Sequence, residues 1–85
     1  MSGSKLEMYI SIVSSLLKYG PLSLDEIVTF TYIDPKWLKE HINFLVTQGL
    51  ARMEKNYNAI DTYAITETGV RITKFFNLKP LTQPQ

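Results

Sequence analysis

The 85-residue sequence predicts a mainly α-helical domain with one small β-hairpin, in the order helix, helix, helix, hairpin, helix. Three observations predict it. Apolar residues recur at helical spacing through three stretches that close at Gly20-Pro21, Ile33 and Gly49. A helix-start signal precedes each stretch: Ser4-x-x-Glu7, Ser23-x-x-Glu26 and Asp34-Pro35. After Gly49 the period shortens to alternation around Asn56-Tyr57-Asn58, and helical spacing returns from Glu67.

The first helix is expected over about residues 5–19. Ser4 and Glu7 form a capping box at its start, and Leu6, Tyr9, Ile10, Val13, Leu16 and Leu17 mark a buried stripe. Gly20 offers a left-handed cap and Pro21 cannot continue the helix. Ser23 and Glu26 repeat the capping box for a second helix carrying Leu24, Ile27, Val28 and Phe30. Its β-branched and aromatic run from Val28 to Ile33 keeps it short. Asp34 as N-cap and Pro35 at the first helical position start a third helix, Pro35–Gln48, with Leu38, Ile42 and Leu45 on its core face.

Leu50–Lys55 and Ile60–Ile65 read as two strands joined by a turn that the two asparagines favour. Alternation turns Tyr63 and Ile65 to the core and Thr62 and Ala64 outward. Thr66 caps a last helix, roughly Glu67–Asn77, with Val70, Ile72, Phe75 and Phe76 as its apolar residues. The expected organisation is a disordered N-terminus at 1–4, one domain at 5–78 and a flexible tail at 79–85.

Composition narrows the function. With 45% hydrophobic and 20% charged residues the chain has enough apolar material to fold as one small domain. It lacks cysteine, which removes disulfides, thiolate zinc sites and a cysteine nucleophile. Its single histidine lies inside a helix, so neither a metal site nor a Ser/His/Asp arrangement is expected. With no glycine-rich phosphate loop and no paired carboxylates on one element, the expectation is a non-enzyme without cofactors. No apolar run is long enough to span a membrane, and the expected location is cytoplasmic. Nine basic against eight acidic residues give +1, too little for a strongly basic, sequence-blind DNA coat.

Three pieces carry a family resemblance: Leu-Ser-Leu-Asp-Glu-Ile at 22–27, Leu-x3-Ile-x2-Leu-x3-Gly-Leu at 38–50, and Tyr-x-Ile-Thr-Glu-x-Gly at 63–69. In this order they resemble the winged helix-turn-helix domain, and the last piece resembles the wing ending of MarR- and PadR-like regulators. The stretch Val28-Thr-Phe-Thr-Tyr-Ile33 lacks the glycine usual in the turn before the recognition helix. That departure predicts a longer or differently shaped turn, and is similar to compact archaeal winged-helix proteins, some of them dimeric and chromatin-associated.

The resemblance implies binding of double-stranded DNA by the third helix and the hairpin, or wing. The helix arc opposite Leu38, Ile42 and Leu45 holds Lys36, Lys39, Glu40, Asn43 and Thr47, in which lysine suits phosphate or guanine and asparagine suits adenine. Trp37 either packs inward or contacts a thymine methyl, a sugar or another protein, whereas Phe44 belongs at the core or its edge and His41 at its boundary. Arg52, Lys55, Asn56, Tyr57 and Asn58 are the wing candidates, with Glu54 and Asp61 opposing their charge. The resemblance further implies a homodimer through the first and last helices, with Met8, Ile12, Tyr19, Val70 and Phe75 as its interface. The expected function is a transcription regulator or nucleoid-associated factor. The alternative is a protein-docking module that does not bind DNA, which the near-neutral charge also suits.

Overall fold

A computed structural model describes residues 4–75, which form α1 (Lys5–Tyr19), α2 (Leu24–Thr31), α3 (Pro35–Thr47), β1 (Ala51–Lys55), β2 (Asp61–Ile65) and α4 (Glu67–Phe75). The expectations for residues 1–3, for the last helix beyond Phe75 and for the tail lie outside the described residues.

Each of the first three helices starts where its signal stands. Ser4 Oγ accepts from the Glu7 amide and the Glu7 carboxylate accepts from the Ser4 amide, both at 3.2 Å. Ser23 and Glu26 repeat the exchange at 3.3 and 2.9 Å. Asp34 Oδ1 accepts from the Lys36 amide at 2.8 Å, with Pro35 in the first turn. Caps of this kind contribute about 1 kcal/mol each. They let α2 form at eight residues, too few to be stable alone.

The turn between α2 and α3 is not lengthened. It is three residues, Tyr32 to Asp34, and Tyr32 itself adopts the left-handed conformation (φ 60°, ψ 18°) that glycine would otherwise supply. Its amide donates to the Val28 carbonyl at 2.7 Å, which closes α2.

The hairpin is antiparallel, with Ala51 opposite Ile65 and Lys55 opposite Asp61. On the other edge of β2, Leu22 exchanges two hydrogen bonds with Tyr63, at 2.9 and 2.7 Å. That bridge gives the two-stranded sheet an isolated backbone partner on the second edge of β2. The outward placement of Thr62 and Ala64 does not hold, since both are buried along with Tyr63. α1, α2 and α4 all pack against β2, so both of its faces are covered.

Ile12 and Leu16 of α1, Ile27 of α2, and Leu38, Ile42 and Leu45 of α3 are fully buried and form the centre of the core. Burying a side chain of this size stabilises by about 1.5–3 kcal/mol. The expected α1 stripe is narrower than predicted: Leu6 and Leu17 are exposed, whereas Ile12 belongs to the core. Ile12 therefore cannot serve as an interface residue, because α1 turns it inward. Phe30 of α2 is also partly exposed and stacks on Tyr19 with ring centroids 4.1 Å apart. In α4 the buried residues are Gly69 and Thr73 rather than the large apolar ones. A side chain at Gly69 would collide with the Leu50 carbonyl and come within 2.7 Å of Ile65 Cγ1, so α4 docks through its small face.

Candidate nucleic-acid interface

α3 is oriented by what it buries. Leu38, Ile42 and Leu45 fix one face in the core, and the His41 ring is buried beside them. His41 Nε2 lies 3.1 Å from Met8 Sδ, and Tyr9 meets the His41 ring edge-on at 5.3 Å. The same Tyr9 stacks on Phe44 at 4.8 Å. α1 thus grips α3 along one side, which satisfies the polar tip of His41 and leaves Phe44 at the core edge. Met8, one of the candidate interface residues, is half buried and engaged in this contact.

The opposite arc presents Lys36, Lys39, Glu40, Asn43 and Thr47 to solvent, as the sequence predicts. Trp37 is 49% exposed at the first turn, with Lys36 Nζ 5.5 Å from its ring centroid. The inward reading of Trp37 does not hold. Among the described residues, no ion pair engages Lys36 or Lys39.

The wing is built differently from its composition. Asn56 Oδ1 accepts from the amides of Asn58 (2.8 Å) and Ile60 (3.0 Å), so its carbonyl shapes the turn and is not available to a ligand. Ala59 completes the turn at φ 63°. Tyr57 is 97% exposed at the tip, and Asn58 is exposed beside it. Both wing cations carry an acid: Arg52 Nε donates to Glu54 at 2.6 Å, and Lys55 pairs with Asp61 opposite it in register. Met53 and Ile60 are exposed as well, and their apolar character gave no sign of it.

Of the candidate interface residues on the terminal helices, Tyr19 is exposed but stacked on Phe30, Val70 is half buried, and Phe75 is exposed. The apolar residues that α1 shows to solvent include Leu6 and Leu17, which the sequence placed in the core stripe.

Tyr32, which sequence reasoning passed over, stands beside this surface. It lines an open groove of about 820 Å³ together with Lys5, Asp34 and Trp37, between the start of α1 and the start of α3. Its only signal in the sequence was the missing glycine of the turn. Among the described residues, every buried side-chain polar atom has a hydrogen-bond partner, and no cluster of three potential metal ligands exists. No helix among them is long and apolar enough to cross a membrane.

No protein-family model matches the sequence, and no curated protein does. Solved structures do match. A MarR family transcriptional regulator from Silicibacter pomeroyi is 21% identical, with a TM-score of 0.77 over 81% of this chain and 48% of its own. BpsR of Bordetella bronchiseptica, whose DNA binding is regulated by 6-hydroxynicotinic acid, is 18% identical, with a TM-score of 0.78 over 81% of this chain and 51% of its own. The transcriptional regulator BldR from Sulfolobus solfataricus is 18% identical, with a TM-score of 0.76 over 84% of this chain and 52% of its own. The chain thus spans about half the length of these structures. Likeness at this identity speaks to architecture, and with the element order, the hairpin and the Leu22–Tyr63 bridge it shows a winged helix-turn-helix fold similar to that of MarR-family regulators.

Proposed function

We propose that the chain is a transcription regulator that binds duplex DNA as a homodimer, through α3 and the wing. The observation that carries this reading is the exposed arc of α3. Its two lysines are free of ion pairs among the described residues, and Asn43 projects from the same arc. The solved structures of the same fold, themselves transcriptional regulators, support it.

Electrostatics sets the expected strength. Lys36 and Lys39 alone give a salt slope of about −1.8 per protomer, and recruiting Arg52 and Lys55 raises it to about −3.6. The two wing pairs are exposed, so releasing them to phosphate costs no more than about 1 kcal/mol each. A single domain therefore binds weakly, and two protomers are needed for useful affinity. Leu6 and Leu17 of α1 and Ile72 and Phe75 of α4 are the exposed apolar residues on the terminal helices that suit this contact.

Fluorescence anisotropy with random and native-promoter duplexes, at several salt concentrations, tests the reading, alongside sedimentation of the free protein. Micromolar binding with a slope near −7 and a dimeric mass are expected. Absence of binding at low salt would sink it. The exposure of Trp37 favours a second reading, a protein-docking module, in which Trp37→Ala abolishes partner binding and salt has little effect.

A further inference from the structure

We infer that Tyr32 is a DNA-backbone contact, its phenol donating a hydrogen bond to a phosphate oxygen and its ring lying against a deoxyribose. The inference rests on the DNA-binding reading above and adds to it a residue outside α3 and the wing.

Backbone and side chain point the same way. Tyr32 holds φ 60°, a conformation in which a Cβ is crowded and which glycine or asparagine adopts with less strain. The neighbouring bonds over-determine it. Its amide is tied to Val28 at 2.7 Å, Thr31 Oγ1 donates to the Ile27 carbonyl at 2.7 Å, and the same oxygen accepts from the Ile33 amide at 3.3 Å. Packing gives nothing back: the residue is 89% exposed, and its hydroxyl has no partner among the described residues. A fold that needed only the turn would be better served by a residue without the ring. Strain kept at a site where the side chain stabilises nothing internal marks a contact with something external.

Position identifies that contact. Tyr32 lies three residues before the first turn of α3 and lines one groove with Trp37 and Lys5. In a helix-turn-helix the start of the second helix enters the major groove, so the turn ahead of it faces the flanking sugar-phosphate strand. Asp34 and Glu7 line the same groove and oppose Lys5, so local charge does not favour a cluster of phosphates. A neutral donor on an aromatic ring suits one phosphate and its sugar, and tyrosine is among the side chains that make such contacts.

The test compares wild type, Tyr32→Phe and Tyr32→Gly by duplex anisotropy over a salt series and by urea denaturation. Tyr32→Gly is expected to keep or raise the urea midpoint while weakening DNA binding about 5- to 20-fold. Tyr32→Phe, which loses only the hydroxyl, is expected to weaken binding about 2- to 10-fold, the effect of one phenol-to-phosphate hydrogen bond formed at a solvent-exposed edge where water competes for both groups. The salt slope should stay unchanged in both, because no charge is removed. If wild type binds and both variants bind within twofold of it, the inference is overturned while the functional reading stands; a tyrosine serving a protein partner gives that result. If Tyr32→Gly unfolds, the strain argument fails, and Tyr32→Phe still decides the contact. Failure of wild type to bind any duplex removes the functional reading and this inference together.

Discussion

Thr66 Oγ1 donates a 2.6 Å hydrogen bond to the carbonyl of Gly49 and accepts one at 3.0 Å from the amide of Gly69. One side chain thereby ties the end of α3 to the start of α4, and the Thr66 amide adds a bond to the Leu50 carbonyl at 3.1 Å. This gives the Tyr-x-Ile-Thr-Glu-x-Gly stretch a physical meaning. Tyr63 bridges to Leu22, Thr66 clamps the exit of α3, and Gly69 lets α4 approach the Leu50 carbonyl. Together they hold β2 and α4 against the segment that follows α3.

Gly69→Ala is therefore expected to destabilise by about 1–3 kcal/mol through overpacking. The sign is informative, because alanine in an ordinary helix interior stabilises by about 1 kcal/mol over glycine. Thr66→Val, which keeps the shape and removes both hydroxyl bonds, should cost about 1–3 kcal/mol. Urea denaturation measures both. A Gly69→Ala variant as stable as wild type would show that α4 can shift away, and that the close approach is not what holds it.

The two sides of α3 should separate cleanly by mutation. Lys36→Ala with Lys39→Ala removes exposed charge, so stability should stay within about 0.5 kcal/mol. DNA affinity should fall, and the salt slope should shrink by about 1.8 per protomer. Leu45→Ala empties a fully buried site and should cost about 2–5 kcal/mol. Melting curves and anisotropy on the same samples decide it, and equal losses of melting temperature would mean the faces are misassigned.

The parts of this fold written in local chemistry were legible, and those set by neighbours were not. Ser4, Ser23 and Asp34 announce their helices through bonds within three residues, so their positions could be read directly. Leu38, Ile42 and Leu45 follow a period that only the core can explain. Thr62 and Ala64 were misplaced because α1, α2 and α4 cover both faces of β2, packing from distant parts of the chain that no alternation reveals. Ile12 and Leu17 both look apolar on α1, and only the seats of α2, α3 and α4 decide which is buried. At the site, the α3 arc was readable from its spacing. The loss of Asn56 Oδ1 to the turn and the pairing of Arg52 and Lys55 depend on hairpin geometry that composition does not carry.

Tyr63 supplies a pH-dependent signature of the packing around β2. Burial raises its pKa above the ordinary 10.0, Asp61 raises it further, and Lys55 opposes them. A phenol whose folded-state pKa exceeds its unfolded one contributes stability in full below about pH 10, which is lost as pH rises through the folded value. Wild type should therefore lose stability above about pH 10 more steeply than Tyr63→Phe, which has nothing to ionise at that position. Lys55→Ala removes the opposing charge and should move the Tyr63 titration to higher pH, whereas Asp61→Asn should move it lower. Urea denaturation at a series of alkaline pH values, with tyrosinate absorbance followed on the same samples, measures both effects. Identical slopes for wild type and Tyr63→Phe would show that the Tyr63 phenol reaches water in the folded protein, and that the Leu22–Tyr63 edge of the sheet is looser than its two hydrogen bonds imply.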